Sequence, residues 1–263
     1  MYSLPAARRS WFNKVLPVIS LLVVAFCGHV SGQTSPPIGE WTWVDGSSPS
    51  QALGGQSGVY GNLGTLAQAN IPGSRYGASK WTDSGGHMWM FGGSGYNANG
   101  IVGSLNDLWQ FNPSTVEWAW MGGSSSFPPS STGQPGVYGA LGVPSTSNIP
   151  GGRDFAASWK DSQGNFWLFG GGEADANLIH GCFNDLWKFN PSTYEWTWIG
   201  GSNAVPTSGG QTGVYGKLGT PSTLNVPGAR YDATTWTDKQ GNLWLFGGAG
   251  FDSIGNDGHL NDL

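Results

Sequence analysis

Apolar positions along this chain fall in short alternating runs, not in helical stripes. The clearest run is Met88-Trp89-Met90-Phe91, with counterparts at Phe166–Phe169 and Leu243–Phe246. Each is closed by a glycine pair: Gly92-Gly93, Gly170-Gly171 and Gly247-Gly248. The two-residue period of a strand sends Trp89 and Phe91 to one face and Met88 and Met90 to the other. Both faces are apolar, so both need cover. Three further segments recur around these runs. NIPGSRYGASKWTD (Asn70–Asp83) is matched by NIPGGRDFAASWKD and NVPGARYDATTWTD, NDLWQFNPST (Asn106–Thr115) by NDLWKFNPST, and EWAW by EWTW. They predict four short strands per unit, numbered one to four. The DSGG, DSQG and DKQG links between strands one and two suit a type I turn followed by a left-handed glycine. The NPST links between strands three and four favour a type I turn as well.

The units recur at long range. Glu40, Glu117 and Glu195 open the phrases EWTWVDGSS, EWAWMGGSS and EWTWIGGSN, and stand 77 and 78 residues apart. A four-stranded sheet with two apolar faces, repeated along a chain, buries those faces by stacking like on like. Radial stacking of such blades gives a β-propeller. Trp118 and Trp120, two apart on strand four, share a face and are expected to pack against the next blade, each burying about 150–250 Å². The complete repeats place tryptophans at five matching positions, and Trp41, Trp43, Trp236 and Trp244 match positions in the partial units at the two ends.

The glycine pairs, the NDLW segments, the NPST turns and Trp118 and Trp196 together resemble the kelch-repeat family, over roughly Glu40 to the end. The resemblance implies an all-β, kelch-type β-propeller of four-stranded antiparallel blades, similar to the central domain of galactose oxidase. It is incomplete in this chain: fewer than three blades plus an N-terminal strand. Blades are expected at about 70–121, 148–199 and 225–263, the last truncated, with a strand four at Glu40–Val44. Ordinary kelch units run to about fifty residues. The extra length here lies between strands four and one, and contains its own repeated phrase, GVYGNLG, GVYGALG and GVYGKLG. Ring closure then needs further blades beyond Leu263, or a neighbouring chain whose Glu40–Val44 completes the third blade.

Composition narrows the class. With 45 glycines, 15 tryptophans and 10% charged residues, the chain fits neither disorder nor long solvated helices. Residues 1–32 stand apart. Arg8, Arg9 and Lys14 precede an apolar run, Val15–Val30, and small residues follow. This reads as an export signal cut near Gly32, with a membrane anchor as the alternative. The mature chain is thus expected to be secreted or periplasmic, free of the membrane. The formal net charge is −5, and losing the three signal cations takes it to −8. The scattered Lys and Arg form no basic stripe, which argues against nucleic acid. Cys182 alone remains after cleavage, so no internal disulfide forms.

The connections two-to-three and four-to-one share one face of the disc, and binding is expected there. Candidate binding residues fall in two groups. Tyr60, Tyr138 and Tyr215 in GVYG, and Arg75, Arg153 and Arg230 before strand one, recur in every unit. The arginines either surround the channel mouth and hold an anion or acidic sugar, or pair within each blade with Asp107, Asp185 and Asp262. Asp175, His180, Asp252, Asp257 and His259 break the repeat in the two-to-three connections, which are read as exposed loops. No metal or other cofactor site is expected. The favoured function is a non-enzymatic propeller that binds a protein or glycan through its long-loop face. The alternative is part of a galactose-oxidase-like copper oxidase whose ligands lie outside this chain. A kelch-like sugar epimerase ranks third, with no catalytic set assignable.

Overall fold

The computed structural model describes residues 41–46, 54–129, 131–174 and 180–263, and only the backbone at 173, 174 and 180. The expected export signal and Asp175 lie outside the described residues. The chain divides into a segment ending at Trp43 and a larger unit, Val44–Leu263. Residues 41–44 form no strand, against expectation, and Trp41 and Trp43 are exposed. In the complete units strand four is held by a ladder to strand three.

Among the described residues there is no helix. The first unit contains β1 (Arg75–Tyr76), β2 (Ser79–Thr82), β3 (Met88–Phe91), β4 (Ser94–Tyr96), β5 (Val102–Ser104), β6 (Leu108–Asn112) and β7 (Glu117–Gly122). The second contains β8 (Ala157–Lys160), β9 (Phe166–Phe169), β10 (Gly172–Ala174), β11 (His180–Cys182), β12 (Leu186–Asn190) and β13 (Glu195–Gly200). The third contains β14 (Arg230–Tyr231), β15 (Thr234–Thr237), β16 (Leu243–Phe246), β17 (Ala249–Phe251) and β18 (Asp257–His259). Four-stranded antiparallel meanders β2-β3-β6-β7 and β8-β9-β12-β13 are the blades of a kelch-type β-propeller, and β15-β16 begins a third.

The blades stack as their two apolar faces require. Trp81 lies parallel to Phe166 of the next blade, with ring centroids 5.2 Å apart, and its indole N–H donates to the Trp159 carbonyl at 2.9 Å. Phe91 packs on Trp196 at 5.2 Å. Strand four therefore turns its tryptophans toward the preceding blade, not the following one as expected. Trp118 packs with Phe111 on that side, while the buried Ala119 faces the other way. Trp89, Phe91, Trp109 and Trp187 are all fully buried. In the third unit, where only two strands pair, Trp236, Trp244 and Phe246 are 47%, 38% and 42% exposed.

The extra length has a structural use. In the first two units the GVYG segment folds back on the outer edge of its own blade. Gly64 and Ala67 N–H groups donate to the Trp120 and Trp118 carbonyls, and Gly142 and Ser145 repeat this on Trp198 and Trp196. The Asn70 and Asn148 side chains add bonds to the Trp118 and Trp196 carbonyls. An open strand edge templates unwanted pairing, and this strap occupies it.

Candidate functional site

The recurring tyrosines and arginines come together with the NDLW aspartates in one network per unit. Arg153 reaches Asp185 through two parallel bonds, Nη1 to Oδ1 at 2.6 Å and Nη2 to Oδ2 at 2.8 Å. Tyr138 and Trp187 donate to the same carboxylate at 2.7 Å each. Arg153 also donates to the carbonyls of Gly170, in the glycine pair, and Gly151. Arg75 with Asp107, Tyr60 and Trp109 repeats the pattern, and so do Arg230, Asp262 and Tyr215. A planar guanidinium matched to a carboxylate is the strong form of this pairing. Burial works against the Arg75 and Arg153 charges, but Asp107 and Asp185 outweigh it and hold both guanidinium groups above their ordinary value. Burial, with the adjacent carboxylate, pushes the Tyr60 and Tyr138 hydroxyls far up, so both stay protonated.

Of the two arrangements open to the arginines, pairing within the blade is the one found. The Arg153 side chain is 1% exposed, with its donors spent on the blade, so it offers nothing to an anion in the channel. The motif columns GVYG, Arg, Gly-Gly and NDLW are thus four parts of one buried clasp.

The repeat-breaking residues sit elsewhere. The two-to-three connections, expected to be exposed loops, are hairpins: β4-β5, β10-β11 and β17-β18. Asp257 and His259 lie exposed on β18, and His180 opens β11. Asp252 closes the β17-β18 turn, its Oδ1 accepting the Ile254 and Asn256 N–H groups. Cys182 is buried, and burial first, then Asp257 and Asp154, pushes its thiol up to about 11. Among the described residues no group of three His, Cys, Asp or Glu side chains is placed to hold a metal ion, and no helix is long and apolar enough to cross a membrane.

A different cluster stands at the head of the first strands. Strands β2, β8 and β15 lie side by side across the blades. Just before each, the chains are tied crosswise. Phe155 N–H donates to the Gly77 carbonyl at 2.7 Å, and Asp232 N–H to the Phe155 carbonyl at 2.8 Å. Gly77, Phe155 and Asp232 occupy one position of the repeat, and all three have left-handed backbones, with φ of 66°, 50° and 56°. A side chain added at Gly77 would crowd the Asp154 Cβ at 3.1 Å and the Phe155 ring at 3.2 Å. The Phe155 ring also meets Tyr76, with ring centroids 5.9 Å apart. Tyr76, Phe155 and Tyr231 are 63%, 38% and 39% exposed, and Asp232 is exposed beside them. The rim therefore presents aromatic faces and a carboxylate on the long-loop side. The signal was legible in RYGAS, RDFAA and RYDAT, where three aligned residues differ completely within an otherwise close repeat.

No family model matches the chain. It is 27% identical over 256 residues to N-acetylneuraminate epimerase 2 of Escherichia coli O6:H1, covering 88% of this chain and 67% of that protein. N-acetylneuraminate epimerase of Escherichia coli K12 matches with the same identity and coverage. Among solved structures, that of YjhT aligns with a TM-score of 0.37 and 17% identity, over 71% of this chain and 62% of that one. The chain thus spans about two-thirds of these relatives. The relatives carry the name of an enzyme, which overturns the expectation of a non-enzymatic binding module with a copper oxidase as its alternative.

Proposed function

We propose that this chain belongs to a sugar epimerase acting on N-acetylneuraminate or a closely related acidic sugar. The observation that carries the reading is the similarity to N-acetylneuraminate epimerases along 88% of the chain. The fold agrees with it, since connections held on one side of a rigid scaffold are where binding residues concentrate.

Among the stereocentres of such a sugar, the anomeric carbon inverts by proton transfer alone. A base takes the hemiketal hydroxyl proton while an acid protonates the ring oxygen. The ring C–O bond breaks to leave an open ketone, and reclosure on the opposite face completes the inversion. The work asked of the protein is general acid–base catalysis, which contributes about 10²–10⁴-fold. Asp154 stands half-buried next to Phe155 and is the carboxylate we assign to a share of that proton traffic.

The test uses full-length protein and N-acetylneuraminate freshly released as a single anomer, followed by proton NMR. Catalysed approach to the anomeric equilibrium, faster than buffer and proportional to protein concentration, is the expected result. Equilibration at the buffer rate at all protein concentrations would remove the reading.

A further inference from the structure

The rim also carries a physical oddity. Phe155 and Asp232 hold a left-handed backbone that L side chains rarely adopt, and that glycine adopts without strain. The first unit does place glycine there, Gly77. The same crosswise bond joins Gly77 to Phe155 and Phe155 to Asp232, so the architecture sets the conformation and the side chains are not needed for it. Left-handed residues also occur at Val116 and Tyr194. Those close the tight NPST turns, where their N–H groups bond Asn112 and Asn190, on the opposite side of the sheets. Those two are exposed as well and also differ between units, but the rim residues are bonded from blade to blade and not within a turn, and they stand on the long-loop side. Retained strain of this kind points to use rather than to folding.

We propose that Tyr76, Phe155 and Asp232 form the subsite that grips the neutral part of the sugar. The exposed rings of Tyr76 and Phe155 stack on the C–H face of the pyranose, and the Asp232 carboxylate accepts bonds from its hydroxyl groups. Three further observations fit this assignment. Glycine at position 77 spares the Phe155 ring a crowding contact of about 3.2 Å. Identical residues at the three positions would make a symmetric mouth, and the glycine, phenylalanine and aspartate found there make an asymmetric one, as an asymmetric ligand requires. The carboxylate at the rim repels the acid group of the sugar and suits its polyol side. The assignment rests on the epimerase reading for its ligand but is tested apart from it.

The experiment measures binding by saturation-transfer NMR, with N-acetylneuraminate and the neutral sugar N-acetylmannosamine as probes, together with thermal midpoints. Asp232→Gly and Phe155→Gly are compared with the parent protein. Asp232→Gly is expected to melt at or above the parent temperature while its sugar affinity falls at least tenfold. Phe155→Gly is expected to lose affinity for both probes, and should it fail to fold, Tyr76→Ala takes its place. Parent epimerase activity left intact by both substitutions tested would overturn the subsite and leave the function standing. A parent that binds the neutral sugar through these residues, yet does not epimerise N-acetylneuraminate, would overturn the function and leave the subsite. Absence of saturation transfer from the parent to either sugar overturns the subsite.

Discussion

Asp185 illustrates how much one residue holds. Its carboxylate accepts from Arg153 twice, from Tyr138 and from Trp187, and its side chain is fully buried. Removing one partner of a buried pair leaves an uncompensated charge, at about 3–5 kcal/mol. Asp185→Ala is therefore expected to lower unfolding stability by that order in a urea titration, with Arg153 left unpaired. A loss under about 1 kcal/mol would mean water substitutes for the carboxylate. The pairing itself was half legible in the sequence, because arginine and aspartate recur in step. The part played by tyrosine was not. Tyr138 and Asp185 stand 47 residues apart, and nothing in the GVYG phrase names its partner.

At the scale of elements, the four strands of each blade were readable, because alternation and turn residues agree. The β4-β5, β10-β11 and β17-β18 hairpins were not. Segments such as Ser94-Gly95-Tyr96 and Val102-Gly103-Ser104 are three residues long and glycine-bearing, so they show no period and little strand preference. The hairpins joining strands one and two are each built on an aspartate. Asp161 accepts the Gln163 and Asn165 N–H groups and the Trp167 indole. Partial burial works against the charge of Asp83 and Asp161, and hydrogen bonds outweigh it, so both carboxyls sit below the ordinary range. At Asp238, bonds from Asn242 and Trp244 bring the value down to about 2. A carboxyl depressed in the folded state, against about 3.9 when unfolded, stabilises fully above about pH 4. That contribution is lost as pH falls toward about 2. Urea midpoints measured across this window are expected to drop, and Asp161→Asn is expected to make the drop shallower. An equal slope in parent and variant would assign acid sensitivity elsewhere.

Within Val44–Leu263, some tryptophans are dry and others are open to solvent. Trp89 and Trp187 are sealed in the core between sheets and Trp109 under Tyr60 of the strap, whereas Trp236 and Trp244 lie on a face only partly covered. Acrylamide quenching should accordingly separate into an accessible tryptophan population, which includes the exposed Trp41 and Trp43, and an inaccessible one. Trp244→Phe is expected to shrink the first without touching the second. Uniform quenching would show the sheets to be loosely packed. The propeller was legible at this scale because the repeat is long and close. The rim was legible only as one variable column, Gly77, Phe155 and Asp232, because nothing in the sequence shows that these residues are bonded from blade to blade.

The strap has a last consequence. Its bonds to the outer strand are all made within one contiguous stretch, from Val59 to Trp120 in the first unit and from Val137 to Trp198 in the second. A duplicated gene segment of that length arrives with its own border already sealed. Array length can then drift by whole modules without exposing a raw edge to neighbouring chains, and the copies become free to diverge at the few rim positions where they meet.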